Sequence, residues 1–132
     1  MKYLSDYTNE TIDNVIRSNG GFFAFSDEQF NEQKKDNVKY QHLYGNLYAP
    51  IKNIKAISTG IENAHKLGVE MDLKENGIKK IIHRELANYE VQLGMDGIIH
   101  ARNSLKDYGV TEEQLQKEYN AYMEWCIKTD NF

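Results

Sequence analysis

The chain has 132 residues, a hydrophobic fraction of 40% and a formal net charge of -4, which predict one globular domain over residues 1–132 and exclude an intrinsically disordered chain. The acidic balance disfavours nucleic acid as a partner, because domains that bind phosphates usually carry a basic excess. The single cysteine, Cys126, excludes an internal disulfide and a cysteine-built zinc site, and no apolar run is long enough for a signal peptide or a membrane span. We therefore expect a cytoplasmic protein that does not enter a membrane.

The first elements predicted along the chain are a helix, a strand and a second helix. Thr8 is expected to cap a short helix that ends in the Asn-Gly-Gly sequence at residues 19–21. The aromatic run Gly21–Phe25 is typical of a buried strand. Ser26, with Gln29 three residues later, forms a capping-box pattern and predicts the second helix.

A second strand is predicted at Val38–Tyr44. Strict alternation would place Tyr40, His42 and Tyr44 on one of its faces. Gly45-Asn46 then interrupts the pattern, either as a tight turn into a stub strand of sequence LYA or as a bulge. Both senses of pairing with the first strand are possible, and we expect antiparallel pairing because it is the more common.

The rest of the chain, after its only proline, is predicted to be helical. Gly68 either ends the first of these helices or only weakens it. Asn76-Gly77 is a stop signal, and a helix is expected over Ile78–Leu93. Asp96 and Thr111 are expected to cap two further helices. The result is an α+β fold, in which a small antiparallel sheet of two or three strands near the N-terminus is followed and covered by four or so helices.

Four ionisable residues lie on the apolar faces of the predicted helices: His65, Asp72, Glu85 and Arg102. At about 100° per residue, Glu85 lies at the centre of an apolar arc, whereas the neighbouring His83 points toward water, which argues against a His-Glu metal site. An unpaired buried charge costs several kcal/mol, so the four are expected to form pairs. The simplest pairs are Glu85 with Arg102 and His65 with Asp72.

This polar cluster has two interpretations. It is either a pocket in which a carboxylate acts as an acid, a base or a metal ligand, or a set of internal ion pairs that fixes how helices dock, which is the commoner origin of such patterns. The chain has no dinucleotide-binding, P-loop, H-E-x-x-H, G-x-S-x-G or EF-hand motif, and its four histidines have no ligand spacing within one element. We expect no cofactor, no resident metal and no catalytic residue.

A candidate interaction surface lies on the second strand and just after it, at Tyr40, His42, Tyr44 and Tyr48. Packing against a helix is the most frequent use of such residues, because aromatic side chains suit half-buried strands. The rings could also stack single-stranded bases, although few basic residues accompany them. A third use is to anchor a protein partner, since tyrosine is enriched at interfaces.

Four stretches of the chain resemble an uncharacterised family of small proteins from bacteriophages and other mobile elements. They are FFAFSDEQF, LYGNLYAP, MDLKENGIKKIIHRELANYE and LKDYGVTEEQL, and the resemblance spans about residues 21–114. Its most distinctive features are the aromatic strand before a capped helix, the Tyr-Ala-Pro step and the R-E-L-x-N-x-E run. The matching positions in that run are Arg84, Glu85, Leu86, Asn88 and Glu90. The resemblance transfers no catalytic residue.

The resemblance implies a small accessory protein in the cytoplasm of an infected cell. Such a protein is expected to bind a host or phage protein complex and to inhibit a defence machine, such as a CRISPR effector or a restriction system, stoichiometrically and without catalysis. Acidic residues around a Tyr-rich surface would speed its association with a basic target. Two alternatives stay open: a small enzyme or nucleotide-binding protein that uses the polar cluster, and a single-stranded nucleic-acid binder that uses the tyrosine strand.

Overall fold

The computed structural model describes all 132 residues of the chain. They form two compact units, Met1–Gly68 and Val69–Phe132. The helices and strands, in chain order, are α1 (Leu4–Ser18), β1 (Phe22–Phe23), α2 (Asp27–Gln33), β2 (Tyr40–His42), β3 (Leu47–Pro50), α3 (Ile54–Asn76), α4 (Ile78–Asn88), α5 (Gly97–Ser104) and α6 (Glu112–Thr129). The predicted α+β class is confirmed. No helix combines the length and the apolar character needed to cross a membrane.

Helix α1 begins earlier than the sequence predicted. Its N-cap is Tyr3, whose backbone N–H donates to the Asp6 carboxylate at 2.8 Å, so the prediction that Thr8 caps this helix is wrong. Thr8 is instead buried in the body of the helix. The helix ends at Ser18, and Gly20 follows in the left-handed conformation at φ +79°, as the glycine pair predicted.

The three strands form one antiparallel sheet in the order β1-β3-β2, which confirms the predicted antiparallel sheet near the N-terminus. The predicted direct pairing of the first strand with the second is wrong, because β3 lies between β1 and β2 and pairs with both. The central strand, β3, is the segment that the sequence predicted to be a stub or a bulge. Leu47 and Ala49 of β3 are completely buried, in a strand that has hydrogen-bonded neighbours on both sides. The outer strands β1 and β2 are shorter than the predicted Gly21–Phe25 and Val38–Tyr44.

Alternation along β3 gives the sheet two different faces. One face carries an apolar core that the sheet shares with α1 and α3. The buried members of this core are Ile16, Leu47, Ala49 and Ile57, and Ile12, Leu43, Ile54 and Ile61 pack around them. On the opposite face lies Tyr48, whose strand neighbours are Phe22 of β1 and His42 of β2. The second face is therefore aromatic.

Helices α1 and α3 approach each other closely at two glycines of α3. A Cβ atom on Gly60 would lie 2.5 Å from Cγ1 of Val15, and one on Gly68 would collide with Cγ2 of Thr8. Because glycine has no side chain, these two residues allow the close contact with α1, although glycine within a helix costs about 1 kcal/mol relative to alanine. Helix α3 is not ended by Gly68 and continues to Asn76.

Three predicted helix boundaries are confirmed and one is corrected. Ser26 and Thr111 cap α2 and α6, since each hydroxyl accepts a backbone N–H, at 3.2 Å and 3.1 Å respectively. Gly77, at φ +77°, separates α3 from α4. Helix α4 ends at Asn88 and not at the predicted Leu93, because the chain turns away into a separate 3-10 turn.

Helix α4 packs against both α5 and α6. Its apolar residues Ile81, Ile82 and Leu86 are completely inaccessible to solvent, and their spacing is that of one helical face. Arg84 and Glu85 of the same helix are buried too. Because charged residues are almost never buried unless they are paired, this part of α4 is the first place to look for a site.

We expect Gly60→Ala to destabilise the protein. Alanine gains about 1 kcal/mol of helix propensity, but its methyl group would overpack the contact with Val15, which costs about 1–3 kcal/mol. Urea denaturation of the variant and the parent protein measures the difference in the free energy of unfolding. Ser58→Ala, at an exposed position of the same helix, is the matched control and should change that free energy by less than about 0.5 kcal/mol. A Gly60→Ala variant more stable than the parent would contradict the close packing of α1 on α3.

Candidate functional site

A completely buried carboxylate, Asp72, lies near the end of α3. Its Oδ1 accepts hydrogen bonds from Arg84 Nη1 at 2.9 Å and from Asn76 Nδ2 at 2.8 Å. Its Oδ2 accepts a hydrogen bond from the Tyr108 hydroxyl at 2.5 Å. Arg84 Nη2 also donates to Glu85 Oε1 at 3.2 Å. We call these five residues the buried network.

The local sequence explains why each donor reaches the carboxylate. Asn76 lies four residues after Asp72, so the two side chains are on the same side of α3. Arg84 carries a planar guanidinium with several donors, which lets one side chain contact two carboxylates. Tyr108 lies in a single 3-10 turn at residues 106–108 and is buried, and a buried phenol needs a polar partner for its hydroxyl.

Glu85 is buried as predicted, but its predicted pairing with Arg102 is wrong. Arg102 Nε instead donates to Glu112 Oε1 at 2.9 Å, in a pair that is largely exposed. Glu85 is neutralised by Arg84, its own neighbour in the sequence. Sequence reasoning did not identify Arg84, because adjacent helical positions diverge by about 100°. The long arginine side chain spans that divergence.

The predicted pairing of His65 with Asp72 is also wrong. Both residues belong to α3, and seven residues of helix correspond to a rise of about 10.5 Å. His65 is half-buried, and the hydrogen bonds of Asp72 come from the buried network instead. Of the four residues predicted to form the polar cluster, the structure therefore joins only Asp72 and Glu85.

Burial and hydrogen bonding shift three pKa values in the buried network. Burial on its own raises the pKa of Asp72, but the hydrogen bonds from Arg84, Tyr108 and Asn76 outweigh burial and hold that pKa below its ordinary value. Burial lowers the pKa of Arg84, whereas its bonds to Asp72 and the neighbouring carboxylates raise it, and the net shift is upward. Burial and the hydrogen bond to Asp72 raise the pKa of Tyr108. At neutral pH Asp72 is therefore a carboxylate, Arg84 a guanidinium and Tyr108 a neutral phenol.

The two central charges of the buried network, Asp72 and Arg84, are not accessible to a substrate. Both carboxylate oxygens of Asp72 already accept hydrogen bonds, and the side chain of Arg84 is only 3% exposed, so no substrate reaches them. No group of three or more His, Cys, Asp or Glu side chains is arranged to hold a metal ion. The network is a structural ion pair that fixes α4 against the end of α3.

A second polar contact joins α4 to α6. His83 Nε2 lies 2.6 Å from Glu118 Oε2, and the Tyr122 ring packs edge-on against His83 at 6.1 Å. The Tyr122 hydroxyl donates to Gln92 Oε1 at 3.0 Å, and burial, together with a hydrogen bond to Cys126, raises the pKa of Tyr122 to about 12. The prediction that His83 points into water is wrong, because α6 covers that side of α4.

The second candidate site is the aromatic face of the sheet, which consists of Phe22, Phe30, Tyr40, His42 and Tyr48. The Tyr48 ring stacks on His42 with centroids 4.7 Å apart and on Phe22 at 6.0 Å. Phe30 of α2 lies 4.8 Å from Tyr48 and 5.7 Å from Tyr40. The predicted packing against a helix is thus confirmed for Tyr40, and Tyr48 makes the same contact with Phe30 of α2.

Exposure divides the four residues that the sequence proposed as an interaction surface. Tyr40 and Tyr48 are half-buried, and His42 is exposed at the end of the ring stack. Tyr44 is not on the aromatic face, because β2 ends at His42 and Tyr44 lies in the turn before β3. It is 68% exposed. The solvent-accessible rings are therefore those of His42 and Tyr44, with the edges of Tyr40 and Tyr48.

The charge around these rings is basic and not acidic as expected. Residues 34–55 contain five lysines and one acidic residue, although the whole chain has a net charge of -4. The backbone N–H of Lys35 donates to the Tyr40 hydroxyl at 3.0 Å. Lys39 and Lys52, with Val38, line a groove of about 310 Å³. The lining of this groove combines the two lysines with the apolar residues Val38 and Ile51.

These features define an α+β protein with a sealed ion pair in its helical unit and an aromatic, lysine-flanked sheet face in the other. The chain belongs to the family of unknown function DUF7659, which its residues 4–125 match. No curated protein and no solved structure matches the chain. The function is therefore argued from the geometry of the two sites and of the exposed surface.

Asp72→Asn should lower the free energy of unfolding by about 3–5 kcal/mol, because it breaks the buried pair at 2.9 Å and leaves Arg84 with only the longer contact to Glu85 at 3.2 Å. Urea denaturation measures the loss. Asp13→Asn is the matched control, since Asp13 pairs with Arg17 at 3.0 Å in an exposed position and should contribute less than about 1 kcal/mol. An Asp72→Asn variant as stable as the control would contradict the structural role of the network.

The same variant should also lose part of the acid sensitivity of the protein. The folded-state pKa of Asp72 is depressed, so its contribution to stability is fully present above the unfolded value of about 3.9 and is lost as the pH falls through the lower folded value. Urea midpoints measured from neutral pH down to about pH 2 should therefore fall more steeply for the parent protein than for Asp72→Asn. If the urea midpoints of the two proteins fall equally with pH, Asp72 does not contribute to the acid sensitivity of the protein.

Proposed function

We propose that this protein is a stoichiometric binding protein from a bacteriophage or another mobile element, and that it inhibits a bacterial defence complex such as a CRISPR effector or a restriction system. It acts by covering a surface of that complex and performs no catalysis. The biological context is supported by the resemblance of the F-F-A-F-S, Y-A-P and R-E-L-x-N-x-E sequences to small bacteriophage proteins. The mode of action is supported by the geometry of the chain.

One observation carries the proposal: the buried ion pair is inaccessible, whereas aromatic side chains that can bind a partner are exposed. The charged side chains of Asp72 and Arg84 are buried, and the rings of His42 and Tyr44 are exposed to solvent. An enzyme needs reactive groups that a substrate can reach. A binding protein needs exposed aromatic rings that a partner can enclose.

The aromatic face is suited to binding because its rings are held in place before a partner arrives. Tyr48 is fixed between His42 and Phe22, and Phe30 supports it from α2. A ring that is already fixed loses little conformational entropy on association. The lysines of residues 34–55 attract an acidic surface and speed the encounter with it.

Tyr44→Ala should weaken inhibition of the target nuclease at least tenfold, which corresponds to about 1.4 kcal/mol of binding free energy. Tyr44 is 68% exposed, so its removal should leave the folded state intact. The measurement is DNA cleavage by purified CRISPR effectors and restriction nucleases at rising concentrations of this protein. Phe132→Ala, at an aromatic residue that is 62% exposed, is the matched control and should inhibit as the parent does.

Two results would count against this proposal in different ways. If no nuclease is slowed by a stoichiometric excess of the parent protein, the inhibitor function should be dropped. If Tyr44→Ala inhibits as well as the parent does, the contact does not involve the turn between β2 and β3.

Binding of single-stranded nucleic acid is a second candidate function, and the five lysines of residues 34–55 favour it. Single-stranded DNA and RNA are bound by rings that stack on bases and by cations that contact phosphates. His42 offers the exposed end of a ring stack, and Lys39 and Lys52 line the neighbouring groove. The charge of residues 34–55 is thus basic, unlike the net charge of -4 of the whole chain, which disfavoured nucleic acid as a partner.

If this second function is correct, fluorescence anisotropy will show that a labelled single-stranded oligonucleotide binds and that affinity falls with salt. Replacing both Lys35 and Lys39 by Gln should reduce the salt slope by about 0.7 for each phosphate that the variant no longer neutralises. Lys128→Gln, on the exposed last turn of α6, is the control and should leave the slope unchanged. Absence of binding at low ionic strength would end this alternative.

A further inference from the structure

The connection from α4 to α5 displays three apolar side chains to solvent. Leu93 is 53% exposed, Met95 is 95% exposed, and Ile99 in the first turn of α5 is 49% exposed. We call residues 89–99 the Met95 loop. Apolar area gathered in so short a segment is typical of an interaction site, whereas scattered exposed apolar residues are ordinary. Neither the buried network nor the aromatic face accounts for it.

Contacts at both ends of the Met95 loop hold it in one shape. Val91 is buried, and Gln92 accepts a hydrogen bond from the Tyr122 hydroxyl at 3.0 Å. Tyr89, at the start of the loop, stacks on His100 of α5 with centroids 5.8 Å apart. The exposed side chains are therefore presented by an ordered backbone, which lowers the entropic cost of binding.

Two residues of the loop adopt backbone conformations that their side chains disfavour. Glu90 has φ +49° and Met95 has φ +61°, in the left-handed region where glycine and asparagine are preferred. Asp96, the N-cap of α5, makes no side-chain capping bond that would explain the turn. A strained backbone that carries an almost fully exposed methionine lowers the stability of the free protein. Strain of this kind points to a function outside the fold itself.

Methionine suits such a position if a partner encloses it. Its unbranched, polarisable side chain adapts to irregular apolar pockets and is enriched in the core of protein interfaces. Leu93 and Ile99 lie two residues before and four residues after Met95 in the chain and are exposed as well, so a partner that encloses Met95 can gain further apolar contacts from them.

The charge of the segment identifies the class of partner. Residues 89–100 contain no lysine or arginine and two acidic residues, Glu90 and Asp96. Nucleic acid and anionic lipid surfaces require cations on the protein that binds them. Two carboxylates beside an apolar anchor instead complement an apolar pocket with a basic rim on another protein.

We propose that the Met95 loop inserts into an apolar pocket of a partner protein, with Met95 as the central anchor and with Glu90 and Asp96 paired to lysine or arginine on the rim of that pocket. This surface belongs to residues 69–132, whereas the aromatic face belongs to residues 1–68. The inference therefore does not rest on the aromatic face, and variants of the two surfaces test them separately.

The first test asks whether Met95 serves the fold. Full-length Met95→Gly should melt at or above the temperature of the parent, because glycine relieves the conformation at φ +61° and Met95 is 95% exposed. A fall of several degrees in the melting temperature would show that Met95 stabilises the folded state, and it would overturn the proposal.

The second test asks whether Met95 serves a partner. The full chain is immobilised, and a clarified lysate of bacteria with active CRISPR and restriction systems is passed over it. The retained proteins are identified and purified. Each variant is then titrated against the purified partner. Met95→Asp should bind the purified partner at least tenfold more weakly. Ile127→Asp is the matched control on α6, where Ile127 is 66% exposed, and should bind as the parent does. Replacing Glu90 and Asp96 by Lys should also weaken binding, most strongly at low salt.

The proposal is overturned if no protein is retained by the parent, or if Met95→Asp binds the retained protein as tightly as the parent does. If nuclease treatment of the lysate abolishes retention, the Met95 loop binds nucleic acid and not a protein. If ultracentrifugation shows that the parent self-associates and that Met95→Asp does not, the Met95 loop binds a second copy of the chain. A Tyr44→Ala variant that fails to inhibit a nuclease while it keeps Met95-dependent binding would leave this proposal standing and limit the failure to the other surface.

Discussion

The arrangement of the helical unit depends on one buried ion pair, between Asp72 and Arg84. Charges removed from water are tolerated only when they are paired and fully hydrogen-bonded, and Asp72 meets this condition with three donors. The donors belong to α3, to α4 and to the turn that carries Tyr108, so few mutual positions of these elements satisfy the carboxylate. An apolar pair of similar volume could contribute as much stability, but it would accept neighbouring registers equally well. The ion pair thus acts through specificity more than through strength.

The same interaction decides where function lies. Asp72 is completely buried and the side chain of Arg84 is only 3% exposed, so a substrate in solution does not reach either charged group. Contacts with another molecule therefore fall to side chains on the surface. The aromatic face and the Met95 loop differ from ordinary surface in the same respect. Their rings and apolar groups are held by contacts behind them, as Phe30 holds Tyr48 and Tyr122 holds Gln92.

The sequence could predict the features that depend on neighbouring residues and could not predict those that depend on distant contacts. The burial of Glu85 was predicted because it depends on the position of that residue around one helix. The caps at Ser26 and Thr111 were predicted because each depends on three or four adjacent residues. The partner of Glu85 depends on how far the side chain of Arg84 reaches, which periodicity does not encode. The central position of β3 depends on pairing with β1, about 25 residues earlier in the chain. Its four residues therefore looked like a stub in isolation.

The two exposed surfaces carry opposite charge, and this restricts what they can bind. Residues 34–55 contain five lysines and one acidic residue, whereas residues 89–100 contain two acidic residues and no lysine or arginine. A partner patch complementary to one surface repels the other, because like charges at an interface cost several kcal/mol. If both surfaces bind, they would meet either two partners or two patches of opposite sign on one partner. A complex of protein and nucleic acid provides both kinds of patch, since phosphates suit the lysines and a basic protein groove suits the acidic loop. The proposed target, a defence nuclease bound to its guide or target, would therefore match the charges of both surfaces.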